Sequence, residues 1–381
     1  MRTRSVMVVV LLVLGLVYAL RVRPYEGNPS ALITIGAQWS RFHDLAASLP
    51  PGLVVLSQSH GYDGFSYYLQ ARDPFLQRDE WKDVKNQRLL YPLACFMASA
   101  GQVELIPLAM VLVNALAIIL LALWLHTYLR HTQGPGWLAP WAALNAGLLG
   151  AFAHDLTEPL AVLMFIPALV AYQHHRLRSC LLWLGLSVLA RESHAVLVGG
   201  LLLHAVITQR NLKWLALPGA LVPWLAWGLW ITPHLGLSPF AASAGSFGFP
   251  FLGFFEQLVS AYRDQGSTFW HREALLIPWM ALLLMSSFLA LMSWKKNKDA
   301  PSLLILLVVL QALLFQAPMW GGILTASRLQ AAIFPLLVMA PASLRQGRCW
   351  IMVFWLSTSF SLLMILRSAR LAPGLETYFL T

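Results

Sequence analysis

Residues 104–129 read ELIPLAMVLVNALAIILLALWLHTYL. After Glu104 the run carries no acidic or basic residue except His126 near its end, and in helical form it spans the roughly 30 Å hydrocarbon core of a bilayer. Lipid offers no water to the backbone, so an open-ended apolar segment crosses it as a helix. Comparable runs lie on both sides, at about 5–21, 137–153, 157–173, 179–191, 194–208, 214–231, 274–293, 302–318, 329–344 and 349–366. With 58% hydrophobic and 11% charged residues over 381 positions, against about 25% charged in a soluble domain, no water-soluble core would bury this surface. The expected architecture is all-α: a polytopic transmembrane helix bundle of about 11 helices, residues 1–381 forming a single integral membrane domain.

Short loops set the orientation, because basic residues stay on the cytoplasmic side. With the N-terminus inside, the inner loops hold Arg130, then Arg176 and Arg178, then Arg210 and Lys213, then Lys295, Lys296 and Lys298, then Arg345 and Arg348. The short outer connections hold only Arg191 and Arg328. Of the 16 carboxylates only Asp299 falls inside, so carboxylate chemistry belongs to the outer face. Arg2 and Arg4 precede the first run, and Val17-Tyr18-Ala19-Leu20 leads into Arg21 with no small-x-small cleavage pair, which suits an uncleaved anchor. The net charge of +10 is then a consequence of topology, and no nucleic-acid partner is expected. Cys95, Cys180 and Cys349 form neither a disulfide framework nor a zinc spacing.

Two outer excursions interrupt the pattern, residues 22–88 and 232–273. In the first, Leu32, Ile35, Trp39, Phe42, Ala46 and Leu49 recur at three and four, which predicts a helix lying on the membrane surface. The second carries Phe247, Phe249, Phe251, Phe254 and Phe255 among glycines and prolines, a composition that suits the headgroup zone or a cover over a site.

Three clusters carry candidate chemistry. The first is His60-Gly61-Tyr62-Asp63-Gly64 with Tyr67, Tyr68, Arg72 and Asp73, followed by Gln87-Arg88-Leu89-Leu90-Tyr91-Pro92. Glycines beside Asp63 let a bulky group approach it; an Asp there also suits a plain helix cap. The second is His154-Asp155-Leu156-Thr157-Glu158-Pro159, and the third Arg191-Glu192-Ser193-His194. For the second a helix cap is the simple alternative; for Arg191 it is a structural ion pair with Asp155 or Glu158. Arg328 stands alone at an outer helix entrance, where snorkelling would explain it.

Taken together, Gly61-Tyr62-Asp63-Gly64, Ala71-Arg72-Asp73-Pro74-Phe75, Arg88-Leu89-Leu90-Tyr91-Pro92, Asp155-Leu156-Thr157-Glu158-Pro159 and Arg191-Glu192 resemble a bacterial group within the GT-C superfamily of membrane glycosyltransferases, linked to cell-surface glycopolymer formation. The resemblance covers roughly residues 1–210. It implies a long first outer loop with an interfacial helix, a polyprenyl-phosphate sugar donor, a glycan or lipid acceptor, and transfer on the outer (periplasmic) face of the inner (plasma) membrane. The catalytic acid it implies is Asp63, although Asp44 lies nearer the first helix. The implied substrate-binding residues are Tyr62, Tyr67, Arg72, Asp73, Arg88, Asp155, Glu158, Arg191, Glu192 and Arg328. A divalent metal is left open, with His154, Asp155 and Glu158 as candidates. Two other classes are compatible with a polytopic chain: a transporter or flippase of lipid-linked saccharides, and a non-catalytic subunit of a polysaccharide assembly complex.

The orientation is checked by single cysteines in intact cells. Those at Lys296 and Arg348 should resist an impermeant thiol reagent and one at Gln265 should react; the opposite order overturns the topology.

Overall fold

The computed structural model describes residues 2–39, 45–46, 48–57, 59–77, 83–209, 211–235, 246–265, 273–341 and 348–369. Among these the chain is mostly helical with one short strand pair, and five helical stretches are long and apolar enough to cross a membrane: 3–25, 103–131, 212–233, 273–297 and 349–368. Shorter apolar helices cover 158–173, 177–190 and 300–313.

The helices are α1 (Thr3–Val22), α2 (Gly64–Arg72), α3 (Leu90–Ala98), α4 (Ile106–His131), α5 (Leu138–Ala143), α6 (Ala146–Ala153), α7 (Glu158–Gln173), α8 (Leu177–Ala190), α9 (Ala195–His204), α10 (Val222–Leu235), α11 (Leu252–Gln265), α12 (Leu276–Asn297), α13 (Ala300–Leu313), α14 (Ile323–Leu329), α15 (Ile333–Met339) and α16 (Arg348–Ala369). The long α4 packs against α1, α3, α5 and α7. Its buried Asn114 donates to the Tyr91 hydroxyl at 2.9 Å, fixing α3 against it.

Several expected single runs are broken, each for a local reason. Within 137–153, Asn145 accepts from the amides of Gly147 and Leu148 and so starts a new helix, while its own amide reaches the Ala142 and Ala331 carbonyls. Within the expected run 329–344, Leu329 ends α14 and Ile333–Met339 forms α15. Arg191 is extended (φ −156°, ψ 114°) between α8 and a short 3₁₀ turn at Glu192–His194. The length criterion thus supports five crossings where eleven were expected.

The surface helix expected in the first loop is not formed over its described part. Pro29–Leu32 is a 3₁₀ turn, and Ile35–Gly36 (β1) pairs in parallel with Val55–Leu56 (β2). Thr34 sits at φ +59°, which ends the turn, and Leu32 and Ile35 are fully buried. They face the interior because their backbone pairs with residues downstream: Thr34 accepts from the Tyr62 amide and Gln38 donates to the Ser59 carbonyl. Phe42, Asp44, Arg345 and residues 236–245 and 266–272 of the second excursion lie outside the described residues.

This pairing delivers Tyr62-Asp63 to the start of α2. Gly64 is what lets it dock: a Cβ there would lie 2.4 Å from the His154 carbonyl oxygen and 2.8 Å from that of Ile33. Gly64→Ala should therefore cost about 1–3 kcal/mol as an overpacked site, read as a lowered thermal midpoint in detergent. Gly199→Ala, with open space at its Cβ, should leave the midpoint unchanged or slightly raised. Equal midpoints for both variants would contradict the docking.

Candidate functional site

Asp63 is the N-cap residue of α2, yet its side chain makes no capping hydrogen bond. The carboxylate instead joins two cations. Its Oδ1 lies 2.8 Å from Lys85 Nζ, and its Oδ2 lies 2.7 Å from Arg328 Nη2. Lys85 is placed by the 3₁₀ turn Val84–Gln87, which Asp83 and Asn86 close as a reciprocal capping box. The Asn86 carbonyl accepts from both Gln70 Nε2 (2.9 Å) and Trp227 Nε1 (2.8 Å), tying this turn to α2 and α10.

Arg328 comes from α14, far away in sequence. Its guanidinium carbon stands 4.9 Å from the centre of the Tyr62 ring, and the Tyr62 hydroxyl meets Thr325 Oγ1 at 3.1 Å. Its Nε is 3.8 Å from Glu158 Oε1, a charge contact too long for a hydrogen bond. Glu158 Oε1 also takes the Arg191 Nη1 donor at 2.6 Å, with both side chains almost fully buried. Beside this ladder Arg88 grips Glu192 with two bonds, 2.6 Å and 2.5 Å, and donates a third to the buried Tyr67 hydroxyl.

Four cations, Lys85, Arg88, Arg191 and Arg328, thus meet four carboxylates, Asp63, Asp83, Glu158 and Glu192, with Asp83 the looser partner at 3.9 Å from Lys85. The charges balance, but the hydrogen bonds do not. Arg328, with 9% of its side chain exposed, has neither Nε nor Nη1 hydrogen-bonded among the described residues. Buried donors without acceptors are costly, and Arg328 itself lines an open space.

That space is a cavity of about 710 Å³, lined at one end by Asp63, Lys85, Arg88, Arg191, Glu192 and Arg328. Its remaining wall is mostly apolar, with Leu307, Leu310 and Leu314 following one another along α13 and just past it, a distance of about 10 Å at the helical rise. Leu310 is 47% exposed. A second cavity of about 150 Å³ is lined by Trp39, His60 and Ser66, and it shares Tyr62, Asp63 and Lys85 with the first. Asp63 therefore stands in the wall between a large amphipathic chamber and a small polar one.

Of the residues expected at the site, Tyr62, Asp63, Arg88, Arg191, Glu192 and Arg328 line the large cavity. Tyr67 and Glu158 reach it through Arg88 and through Arg191. The ion pair proposed for Arg191 as a structural alternative exists, with Glu158 as its partner. Arg72, Asp73 and Asp155 lie elsewhere, and the metal candidates do not cluster. Arg72 donates to the Ser48 carbonyl and lies over Tyr68, and neither it nor Asp73 lines either cavity, because α2 carries them a full helix length from Asp63. Asp155, in a left-handed turn (φ +50°), is fully buried outside both linings. Nor do His154, Asp155 and Glu158 form a metal centre: no group of three such side chains among the described residues is arranged to hold an ion. His154 Nδ1 meets Thr34 Oγ1 at 3.0 Å, and its ring packs on Tyr62 with centroids 4.9 Å apart.

Sequence reasoning missed Lys85 and Thr34. Lys85 lay two residues before Gln87-Arg88 in a polar stretch where any lysine looks solvated, and the Asp83-x-x-Asn86 cap was the only local signal. The chain matches no protein-family model, no curated protein and no solved structure, so geometry carries the functional reading.

Burial acts to raise the Asp63 carboxyl, but Arg328 and then Lys85 outweigh it and hold it well below the usual carboxylate range. At Glu192 burial is likewise outweighed by Arg88, which brings the carboxyl down to about 2. Both lie below the roughly 4 of an unfolded carboxylate, so their stabilisation is complete above about pH 5 and is lost as the pH falls toward the folded values. The difference in thermal midpoint between wild type and Glu192→Gln should be constant from pH 8 to 5 and shrink below about pH 4. A difference that already shrinks between pH 8 and 6 would mean that Glu192 is not held as an ion by Arg88.

Proposed function

We propose that this chain is a membrane glycosyltransferase of the GT-C type, moving a sugar from a polyprenyl-phosphate donor to a cell-surface glycan or lipid acceptor on the outer face of the membrane. One observation carries the reading: a carboxylate in the wall between an amphipathic cavity with four cations at its head and a small polar pocket. A lipid phosphate matches the first in both its parts. Its chain suits the apolar wall along α13, and its anion suits the cations at the head, Arg328 among them. A hydroxyl-bearing acceptor matches the second, where Trp39, His60 and Ser66 surround Asp63 from the other side.

In this reading the acceptor oxygen attacks the anomeric carbon as the bond from that carbon to the phosphate oxygen breaks. The acceptor proton passes to Asp63, and the bonding electrons leave with the lipid phosphate. A phosphate departs as a stable anion, so the second carboxylic acid that glycosidases use on the leaving group is dispensable. Cations that stabilise the departing charge take its place. Asp63 held by both Lys85 and Arg328 is a weak base. An arriving phosphate competes for the same two cations, and each contact it takes strengthens Asp63 as a proton acceptor. Base strength thereby rises when donor is bound.

The test is a donor screen with purified protein in lipid, scoring transfer from a panel of polyprenyl-phosphate sugars. With an active donor, Asp63→Asn should keep donor binding and lose about 10²- to 10⁴-fold in turnover. Arg328→Gln should chiefly weaken donor binding, since the phosphate is anionic before reaction begins. Near wild-type turnover by Asp63→Asn would remove Asp63 from the chemistry, and no transfer from any donor would favour a transporter or a non-catalytic subunit.

A further inference from the structure

Helix α11 is divided lengthwise into three sectors. Phe254 and Ala261 are buried, with Phe254 edge-on to Trp320 at 5.3 Å, and at Gly253 a Cβ would lie 2.2 Å from the Phe315 carbonyl oxygen. This seam fixes the helix to the 3₁₀ turn Ala317–Trp320. A second sector is exposed and polar: Glu256, Ser260, Arg263 and Asp264, with Ser260 donating to Asp264 at 3.1 Å. The third is exposed and apolar. Leu252, Phe255, Val259 and Tyr262 are 46%, 57%, 57% and 62% exposed, and at 100° per residue they fall within an arc of about 80°. Phe249, just ahead of the helix, is 77% exposed.

An apolar stripe flanked by a polar one, on a helix held firmly by its third side, requires an apolar partner. We infer that α11 lies along the membrane surface on the Asp63 side of the protein, with Leu252, Phe255, Val259 and Tyr262 inserted among the lipids of that leaflet. The depth follows from its anchors. Phe247 pairs with Phe315, just past the end of the apolar helix α13. The same Phe247 also lines the large cavity whose charged head holds Asp63. The stripe therefore begins at the level where an apolar helix leaves the bilayer, the depth that in-plane helices occupy, and Tyr262 suits the interfacial aromatic belt. A second copy of the chain is a poorer occupant: four half-exposed side chains offer roughly half of the about 800 Å² per partner in a stable interface. The inference is independent of the proposed transfer reaction. It adds that the rim of the large cavity is set at headgroup height by α11, so a membrane-dissolved ligand reaches the cations sideways, without leaving the leaflet.

The test uses single cysteines at Phe255, Val259, Ser260 and Asp264, in a full-length chain whose Cys95, Cys180 and Cys349 are replaced by alanine. Each is labelled with bimane and reconstituted in phosphatidylcholine vesicles with and without brominated lipid. Variants are kept only if their thermal midpoint matches the cysteine-free parent. Bimane at 255 and 259 should be quenched by brominated lipid at least threefold more than bimane at 260 and 264, and iodide should show the reverse order. Equal iodide quenching at all four positions would overturn the membrane placement. So would protection at 255 and 259 that ignores brominated lipid and grows with protein density, which would assign the stripe to a second copy. Since no reaction is measured, this outcome stands apart from that of the donor screen.

Discussion

The ion pairs on Asp63 govern this molecule. A carboxylate taken largely out of water survives only with partners, and here it has two, one from each side. Removing either leaves the carboxylate with one partner instead of two. The requirement reaches far along the chain. It needs a turn at Val84–Gln87 to present Lys85 and a short helix at Ile323–Leu329 to present Arg328. It needs Glu158 and Arg191 to neutralise what lies behind. The ladder closes in charge but not in hydrogen bonding, and the unused donors belong to Arg328.

Behind the ladder runs a second, mostly uncharged line of support. Arg21, at the end of α1, donates to Thr34 Oγ1 at 2.7 Å, Thr34 meets His154, and His154 packs on the Tyr62 ring beneath Arg328. The first membrane helix thus braces the aromatic floor on which the guanidinium rests. An Arg that reads in sequence as an ordinary boundary residue is 1% exposed in the fold.

What the sequence disclosed was what depends on one segment at a time. The apolar run that becomes α4 is legible because length and composition suffice, and the acids and arginines of the site are legible as costly residues at membrane boundaries. What escaped depends on pairings between distant segments. The three-and-four spacing from Leu32 to Leu49 mimics a helix face, but Thr34 adopts a left-handed conformation because its carbonyl must meet Tyr62, and that bond is invisible locally. The amphipathic surface helix belongs instead to Leu252–Gln265, where the phenylalanines drew attention to the loop and away from the period beneath it. Asp63 fits a cap by position and is none, because stronger donors come from elsewhere. Lys85 has no signature at all beyond the cap that starts its turn.

The apolar wall that Leu307, Leu310 and Leu314 give the large cavity has a thermodynamic consequence. A chamber whose rim lies at headgroup height, as inferred above, does not stand empty in a bilayer, since bulk phospholipid tails, present at an enormous local concentration, fill whatever apolar wall is offered. A specific occupant must therefore win as a solute against its own solvent. Tail contacts exchange nearly one for one and contribute little to that contest, so selectivity falls on the headgroup and its fit to the guanidinium end. Any measured affinity is then a mole-fraction partition ratio, set by the surrounding lipid as much as by the protein.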